Sequence, residues 1–216
     1  MRFETEEGPL DFTPRRLVVA GWTGRDEAAL KHHIAELAEI GVKGPSRAPL
    51  FYSAAAALMT TASEIEALGP QTSGEVEPLV IRARGALWLG LGSDHTDRGL
   101  EAVSVNHSKQ ICPKIAAAAL WRLDTVMDPD AVELRSWIAE DGAWTLYQEG
   151  RLSEIRPLGE LIAGAALGEE EAIFCGTIPA IGGIRPAPRF RMALRDPGTG
   201  REIGHEYQIR SLPVVQ

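Results

Sequence analysis

The chain has 216 residues with 22 Lys and Arg against 30 Asp and Glu, a formal net charge of −8. That balance excludes a general polyanion binder, because a phosphate backbone is held by a basic face. With 44% hydrophobic and 24% charged residues the composition is that of an ordinary folded chain, which excludes disorder throughout. The length suits one domain over 1–216, with an N-terminal strand and helix over 1–48 and a β-rich core over 49–216.

Taken in chain order, Leu17 to Ala20 is a short β-type run ending at Gly21. Asp26 then opens a helical stretch in which Ala29, Leu30, His33, Ile34, Leu37 and Ile40 recur every three or four residues, and Gly41 closes it. Leu50 to Tyr52 reads as extended. Val76, Leu79, Val80 and Ile81 predict a strand, Arg84-Gly85 a turn, and Ala86 to Leu91 the return strand. Lys114 to Leu123 is Ala-rich and predicts a helix. Ala131 to Ile138 and Trp144 to Gln148 flank Asp141-Gly142, a hairpin turn. Leu158 to Leu167 predicts a helix and Ala172 to Cys175 a buried strand. Phe190 to Leu194 and Glu206 to Ile209 bracket the turn Asp196-Pro197-Gly198-Thr199-Gly200. Strands with a few inserted helices and no βαβ rhythm make an α+β, strand-rich fold.

The two cysteines, Cys112 and Cys175, form no Cys-x-x-Cys pair and so no zinc or redox signature. The acidic N-terminal residues lack the basic start of a signal peptide, and no apolar run reaches the roughly 18 residues a membrane helix needs. A cytoplasmic protein without membrane or nucleic-acid partners is the expectation.

Several polar clusters can carry chemistry. Glu75 and Glu77, two apart on a strand, present side-by-side carboxylates that repel unless a cation lies between them; an all-oxygen pair suits a hard divalent metal. Alone, such a pair is a solvated strand edge. Asp94 or Asp97 is placed to add a third carboxylate, and Arg98 offers a planar fork to an oxyanion. His95 alone reads as a loop hydrogen-bonder. Lys109 or Lys114 can oppose negative charge developing on an oxygen. His33 and Glu36, three apart on a helix, form a dyad able to take a proton from water. Phe174-Cys175-Gly176-Thr177 leaves backbone N–H groups and a hydroxyl at a strand end.

In this order the clusters resemble the fumarylacetoacetate hydrolase (FAH) superfamily. His33-x-x-Glu36 is similar to its lid-helix dyad, Pro49-Leu50-Phe51 to its apolar segment before the core, and Glu75-Val76-Glu77 to its metal pair. Asp94-x-Thr96-x-Arg98 is similar to the motif of its third metal carboxylate and oxyanion Arg, and Lys109 to its site Lys. Gln148-Glu149-Gly150 resembles its hairpin, and Gly176-Thr177 its Gly-Thr-Pro segment, with Ile178 intervening before Pro179. The words SGEVE, GSDHTDR and SKQICPK resemble a bacterial branch known only as a domain of unknown function.

The resemblance implies a mixed β-sandwich roll with a few peripheral helices, usually a homodimer. It implies one divalent cation, Mg2+ first and Mn2+ or Ca2+ next, on Glu75, Glu77 and Asp94. It gives catalytic roles to His33, Glu36, Arg98 and Lys109, and substrate binding to Gly176, Thr177 and Gln148. The implied activity is hydrolysis of a C–C bond in a 2-oxo or 2,4-dioxo (acylpyruvate-like) acid through a metal-bound enolate. The alternatives are a decarboxylase, hydratase or isomerase on a related acid, or a non-catalytic small-acid binder. Three positions depart from the pattern: Glu101 stands where a Gln helps form the oxyanion hole, Asp97 replaces an Ala, and Ser53 stands near a missing Lys.

Overall fold

The structure, a computed structural model, describes residues 1–28 and 44–215. In chain order its strands are β1 (Arg2–Phe3), β2 (Leu10–Asp11), β3 (Arg16–Gly21), β4 (Leu50–Ala54), β5 (Met59–Thr60), β6 (Glu64–Leu68), β7 (Thr72–Ser73) and β8 (Val76–Ala83). They continue as β9 (Ala86–Asp94), β10 (Thr96–Asp97), β11 (Lys114–Arg122), β12 (Glu133–Glu140), β13 (Ala143–Arg151), β14 (Glu171–Phe174), β15 (Arg189–Arg195) and β16 (Glu202–Leu212). Seven form a mixed sheet in the order β4-β3-β14-β8-β9-β11-β5, and five a second sheet in the order β13-β12-β15-β16-β6. Three short helices, Arg98–Glu101, Val105–Gln110 and Leu158–Gly164, lie among the described residues. None is long and apolar enough to cross a membrane. The strand-rich α+β expectation is met.

The two sheets differ because their faces meet different surroundings. In the five-stranded sheet one face is solvated, so the strands alternate: Leu134 and Ile138 on β12 and Phe190, Met192 and Leu194 on β15 are buried, with Arg135 and Arg191 between them half-buried. The seven-stranded sheet is buried on both faces, so β8 reads as a near-continuous apolar run. Its Val76 and Val80 join the inter-sheet core with Leu89, Tyr147, Phe190 and Tyr207. Its Leu79 and Ile81 turn the other way, onto Phe3, Leu10 and Phe12 of the N-terminal segment. Each fully buried Leu or Phe contributes about 1.5–3 kcal/mol relative to exposure.

The helix expected over Lys114 to Leu123 is corrected: this segment is β11, antiparallel to β9 and parallel to β5. Alanine's helical advantage is only a fraction of a kcal/mol per residue, at most about 0.7. Burial on both faces outweighs it, since Ala117 faces the inter-sheet core and Ala116 the opposite cluster. The Asp141-Gly142 turn forms as predicted, both residues having positive φ (50° and 80°) and Glu140 facing Ala143.

Candidate active site

A two-residue hairpin builds the site. Arg84 and Gly85 turn β8 into β9 with positive φ at both (54° and 70°), so Ala83 faces Ala86 and, at the far end, Val76 faces Ser93. One residue further on, the Asp94 N–H donates to the Glu75 carbonyl at 3.0 Å. Glu77, two residues from Glu75, projects alongside it. Glu75, Glu77 and Asp94 thereby bring carboxylate oxygens within 4.8 Å of one another. Asp94 is fully buried and Glu77 nearly so.

Cations surround this triad. Lys109, on the helix Val105–Gln110, donates to Asp94 Oδ2 and lies 5.9 Å from the centre of the Tyr52 ring. Lys114, paired in register with Asp94 at the start of β11, is fully buried. Its Nζ donates to the His95 carbonyl at 2.6 Å and lies 2.9 Å from Asp94 Oδ1. Burial by itself raises the Asp94 pKa, but Lys109 and Lys114 outweigh it and hold the carboxyl well below the usual range. Among the described residues Glu77 has no such partner. Burial, then Asp94, pushes it well above the usual carboxylate range against the pull of Lys109, and its Oε2 accepts from Gly176 N–H at 2.8 Å.

Arg98 follows the β7–β10 ribbon, in which Thr96 pairs with Ser73. Its Nε donates to Ser73 Oγ at 2.7 Å, its Nη1 to Glu101 Oε2 at 2.7 Å, and its Nη2 lies 3.4 Å from Glu75 Oε2. Glu101 is thus an ion-pair partner of Arg98.

On the opposite side Gly176 has φ +97°, and a Cβ there would meet Thr23 Oγ1 at 1.8 Å. Gly176→Ala is therefore expected to cost about 1–3 kcal/mol from backbone strain, with a steric clash in addition, and to displace the N–H that meets Glu77. Urea denaturation measures it; a change under 0.5 kcal/mol would contradict the prediction. The Thr177 hydroxyl donates to the Val76 carbonyl at 2.8 Å and accepts from Gln148 Nε2 at 2.8 Å. Gln148 also donates to the Ile178 carbonyl at 2.7 Å, and its Oε1 accepts from Val76 N–H at 3.0 Å and Ser136 Oγ at 2.9 Å. The amide of Gln148 is thus engaged within the protein, tying the Thr177 segment to β8 and β12.

His95 is a structural hydrogen-bonder, its Nδ1 3.1 Å from Tyr207 Oη and its Nε2 2.9 Å from Thr72 Oγ1. Burial, then Lys114 and Arg98, hold its pKa down to about 3, so it is neutral at physiological pH. Tyr207 Oη also meets Ser93 Oγ at 2.9 Å, and Ser93 Oγ accepts from Glu75 N–H at 3.2 Å. Tyr207→Phe removes a hydroxyl that joins the two sheets beneath the triad and is expected to cost about 1–3 kcal/mol, measured by chemical denaturation. Both cysteines are buried, and burial pushes the Cys112 thiol up to about 11, so no thiolate nucleophile is poised here.

Glu75, Glu77, Asp94, Arg98 and Lys109 meet in one place, with Gly176 against Glu77 and Thr177 and Gln148 behind β8. His33 and Glu36 lie outside the described residues. The donor set fits a hard divalent cation: three carboxylates, all oxygen, two of them withdrawn from water, with no cationic partner within ion-pair distance of Glu77 among the described residues. Sequence reasoning left Lys114 as an alternative to Lys109, whereas both reach Asp94. It missed Tyr207, which arrives from the second sheet and has no sequence signal near the triad.

A family model described as a protein of unknown function (DUF2848) matches residues 20–207. No curated protein matches the chain. Among solved structures, a 2-keto-3-deoxy-D-arabinonate dehydratase complexed with magnesium and 2,5-dioxopentanoate is similar at TM-score 0.64 and 14% identity, covering 94% of this chain and 75% of the other. A maleylpyruvate hydrolase from Sphingobium sp. SYK-6 is similar at TM-score 0.60 and 14% identity, over 93% and 72% of the two chains. A 5-carboxymethyl-2-hydroxymuconate delta-isomerase from Mycobacterium smegmatis is similar at TM-score 0.63 and 15% identity, over 93% and 78%. The fold is FAH-like.

Proposed function

The chain belongs to the DUF2848 family, and from that premise and its FAH-like fold we propose that it is a divalent-cation-dependent enzyme acting on a small anionic 2-oxo acid, hydrolysing a C–C bond of an acylpyruvate-like substrate. The observation that carries this reading is the buried triad Glu75, Glu77 and Asp94 with Lys109 and Arg98 against it. These three carboxylates would hold the cation, which when bound supplies Lewis-acid charge to the oxygens of a 2-oxo acid.

The chain's own residues do the rest. The Lys109 ammonium opposes negative charge that develops on the substrate as the C–C bond breaks, and Arg98 Nη2 does so from the Glu75 side. The Thr177 hydroxyl is taken by the Val76 carbonyl, so the substrate carboxylate falls to the Thr177 backbone N–H, with Gln148 holding that segment in place. His33 accepts a proton of the water that attacks the acyl carbon, Glu36 stabilises the imidazolium that results, and the proton then passes to the carbon freed as the C–C bond breaks, giving the carboxylic acid and the 2-oxo acid. Glu101 accepts from Arg98 Nη1 at 2.7 Å and holds that guanidinium beside the triad.

The test is turnover of a panel of 2-oxo and 2,4-dioxo acids with Mg2+, Mn2+, Ca2+ or a chelator. The expected result is cation-dependent release of a 2-oxo acid and a carboxylic acid from an acylpyruvate. Absence of both turnover and cation binding would overturn the reading.

A further inference from the structure

Two ammonium groups meet one carboxylate of the triad, and they are held in different ways. Lys114 stands on β11 between Asp94 of β9 and Met59 of β5 and is fully buried. Its Nζ donates to the His95 carbonyl at 2.6 Å and lies 2.9 Å from Asp94 Oδ1, so leaving Asp94 would also strand a buried carbonyl. Lys109 stands on the six-residue helix Val105–Gln110. Among the described residues Asp94 Oδ2 is its only hydrogen-bond acceptor. Its ammonium is a compact charge on a flexible four-carbon stem. Burial lowers its pKa, but Asp94, Glu75 and Glu77 outweigh that and hold it raised, so the charge of all three proposed ligands acts on one ammonium. A carboxylate oxygen has two lone pairs, so Lys109 does not block Asp94 Oδ2 by filling it. The conflict is one of charge. An ammonium and a divalent cation drawn to the same oxygen repel each other twice as strongly as two unit charges would at that separation. Lys114 has a second acceptor to hold it in place, whereas Lys109 has none among the described residues, so Lys109 is the one that gives way.

We propose that Lys109 is an exchangeable counter-ion: before a cation binds, its ammonium neutralises Asp94, and a divalent charge in the triad drives it from Asp94 to the acid, so that one side chain opposes cation binding and supports acid binding. This rests on the reading that the triad holds a cation for a 2-oxo acid. The ammonium that leaves Asp94 carries three donors and is drawn to an anionic oxygen beside the triad. Lys114 stays where it is and keeps Asp94 paired throughout.

The experiment is calorimetric titration of Mn2+ into the wild type, Lys109→Gln and Lys109→Met, followed by titration of pyruvate into each protein saturated with Mn2+. Lys109→Gln removes the charge but keeps an N–H donor for Asp94, and Lys109→Met removes both; thermal melts first establish that each is folded at the working temperature. Mn2+ is expected to bind both variants at least about tenfold more tightly than the wild type, because the repelling charge is gone. Pyruvate is expected to bind the Mn2+-saturated variants about tenfold more weakly, the value of one charge-assisted hydrogen bond. The opposite signs are the signature: a residue that only supported the fold of the site would weaken both steps. Mn2+ binding that is unchanged or weaker in both variants overturns the proposal, as does pyruvate binding that is unchanged. Failure of the wild type to bind Mn2+ overturns the cation reading beneath it, and failure of the Mn2+-saturated wild type to bind pyruvate overturns the 2-oxo acid reading. If neither variant folds, with or without Mn2+, Lys109 is a fold residue and the proposal falls.

Discussion

Replacing Lys114 with methionine is expected to destabilise the fold by about 3–5 kcal/mol, the usual result of removing one partner of a buried ion pair. Lys114 is fully buried on β11, opposite Asp94, and its ammonium serves both Asp94 Oδ1 at 2.9 Å and the His95 carbonyl at 2.6 Å. Without it a buried carboxylate keeps only Lys109, and a buried carbonyl loses its donor. Methionine matches the lysine stem in volume, so the loss reads the charge and the hydrogen bond rather than a cavity. The double variant Lys114→Met with Asp94→Asn is expected to recover part of the loss, because it removes both ends of the pair. Urea denaturation of the wild type, the single variants and the double variant measures this. A single variant within 1 kcal/mol of wild type would refute the pairing.

Glu77→Gln is expected to act with opposite signs on the fold and on the proposed cation site. Glu77 stands buried beside Asp94, and burial and that like charge push its pKa well above the usual range. An ionised group with a raised folded pKa opposes folding above its unfolded pKa, so an amide in its place relieves the cost at neutral pH. The Gln oxygen can still accept from Gly176 N–H, now 2.8 Å from Glu77 Oε2. The variant is therefore expected to match or exceed the stability of the cation-free wild type. It also loses one of three oxygen ligands and a negative charge, so cation binding is expected to fall at least 100-fold, and turnover with it. Thermal melts separate the two effects. At a cation concentration 100 times its dissociation constant the wild type should gain about 2.7 kcal/mol, and Glu77→Gln almost nothing. Equal gains would remove Glu77 from the proposed ligand set.

These two residues also show how far the sequence reached. Glu75 and Glu77 are legible because two residues apart on a strand share a face, and the Arg84-Gly85 turn is legible as a two-residue hairpin. The third carboxylate stayed open between Asp94 and Asp97 in the sequence, and the register of the finished hairpin decides for Asp94, whose N–H meets the Glu75 carbonyl. The Ala-rich segment of β11 was misread for the converse reason. Its local preference is weak, and the strand neighbours and two buried faces that decide it come from β9, β5 and the N-terminal segment. Glu101 could be named as a departure from a pattern, but its hydrogen bond to Arg98 needed the one-turn helix and its Asp97 cap.

The sequence by itself determined what short-range physics governs: the strand periodicities, the turns, and the order of the acidic and basic residues. Only the tertiary structure decided which groups meet across long separations. Lys114 joins Lys109 on Asp94, Tyr207 reaches from the second sheet to Ser93 and His95, and Gln148 closes on Thr177. The physical reason is that these buried polar contacts are fixed by how two sheets pack, and the hydrophobic surface that drives the packing is non-directional. It says which side chains go inside, and the register and crossing of the finished sheets then say which of them touch.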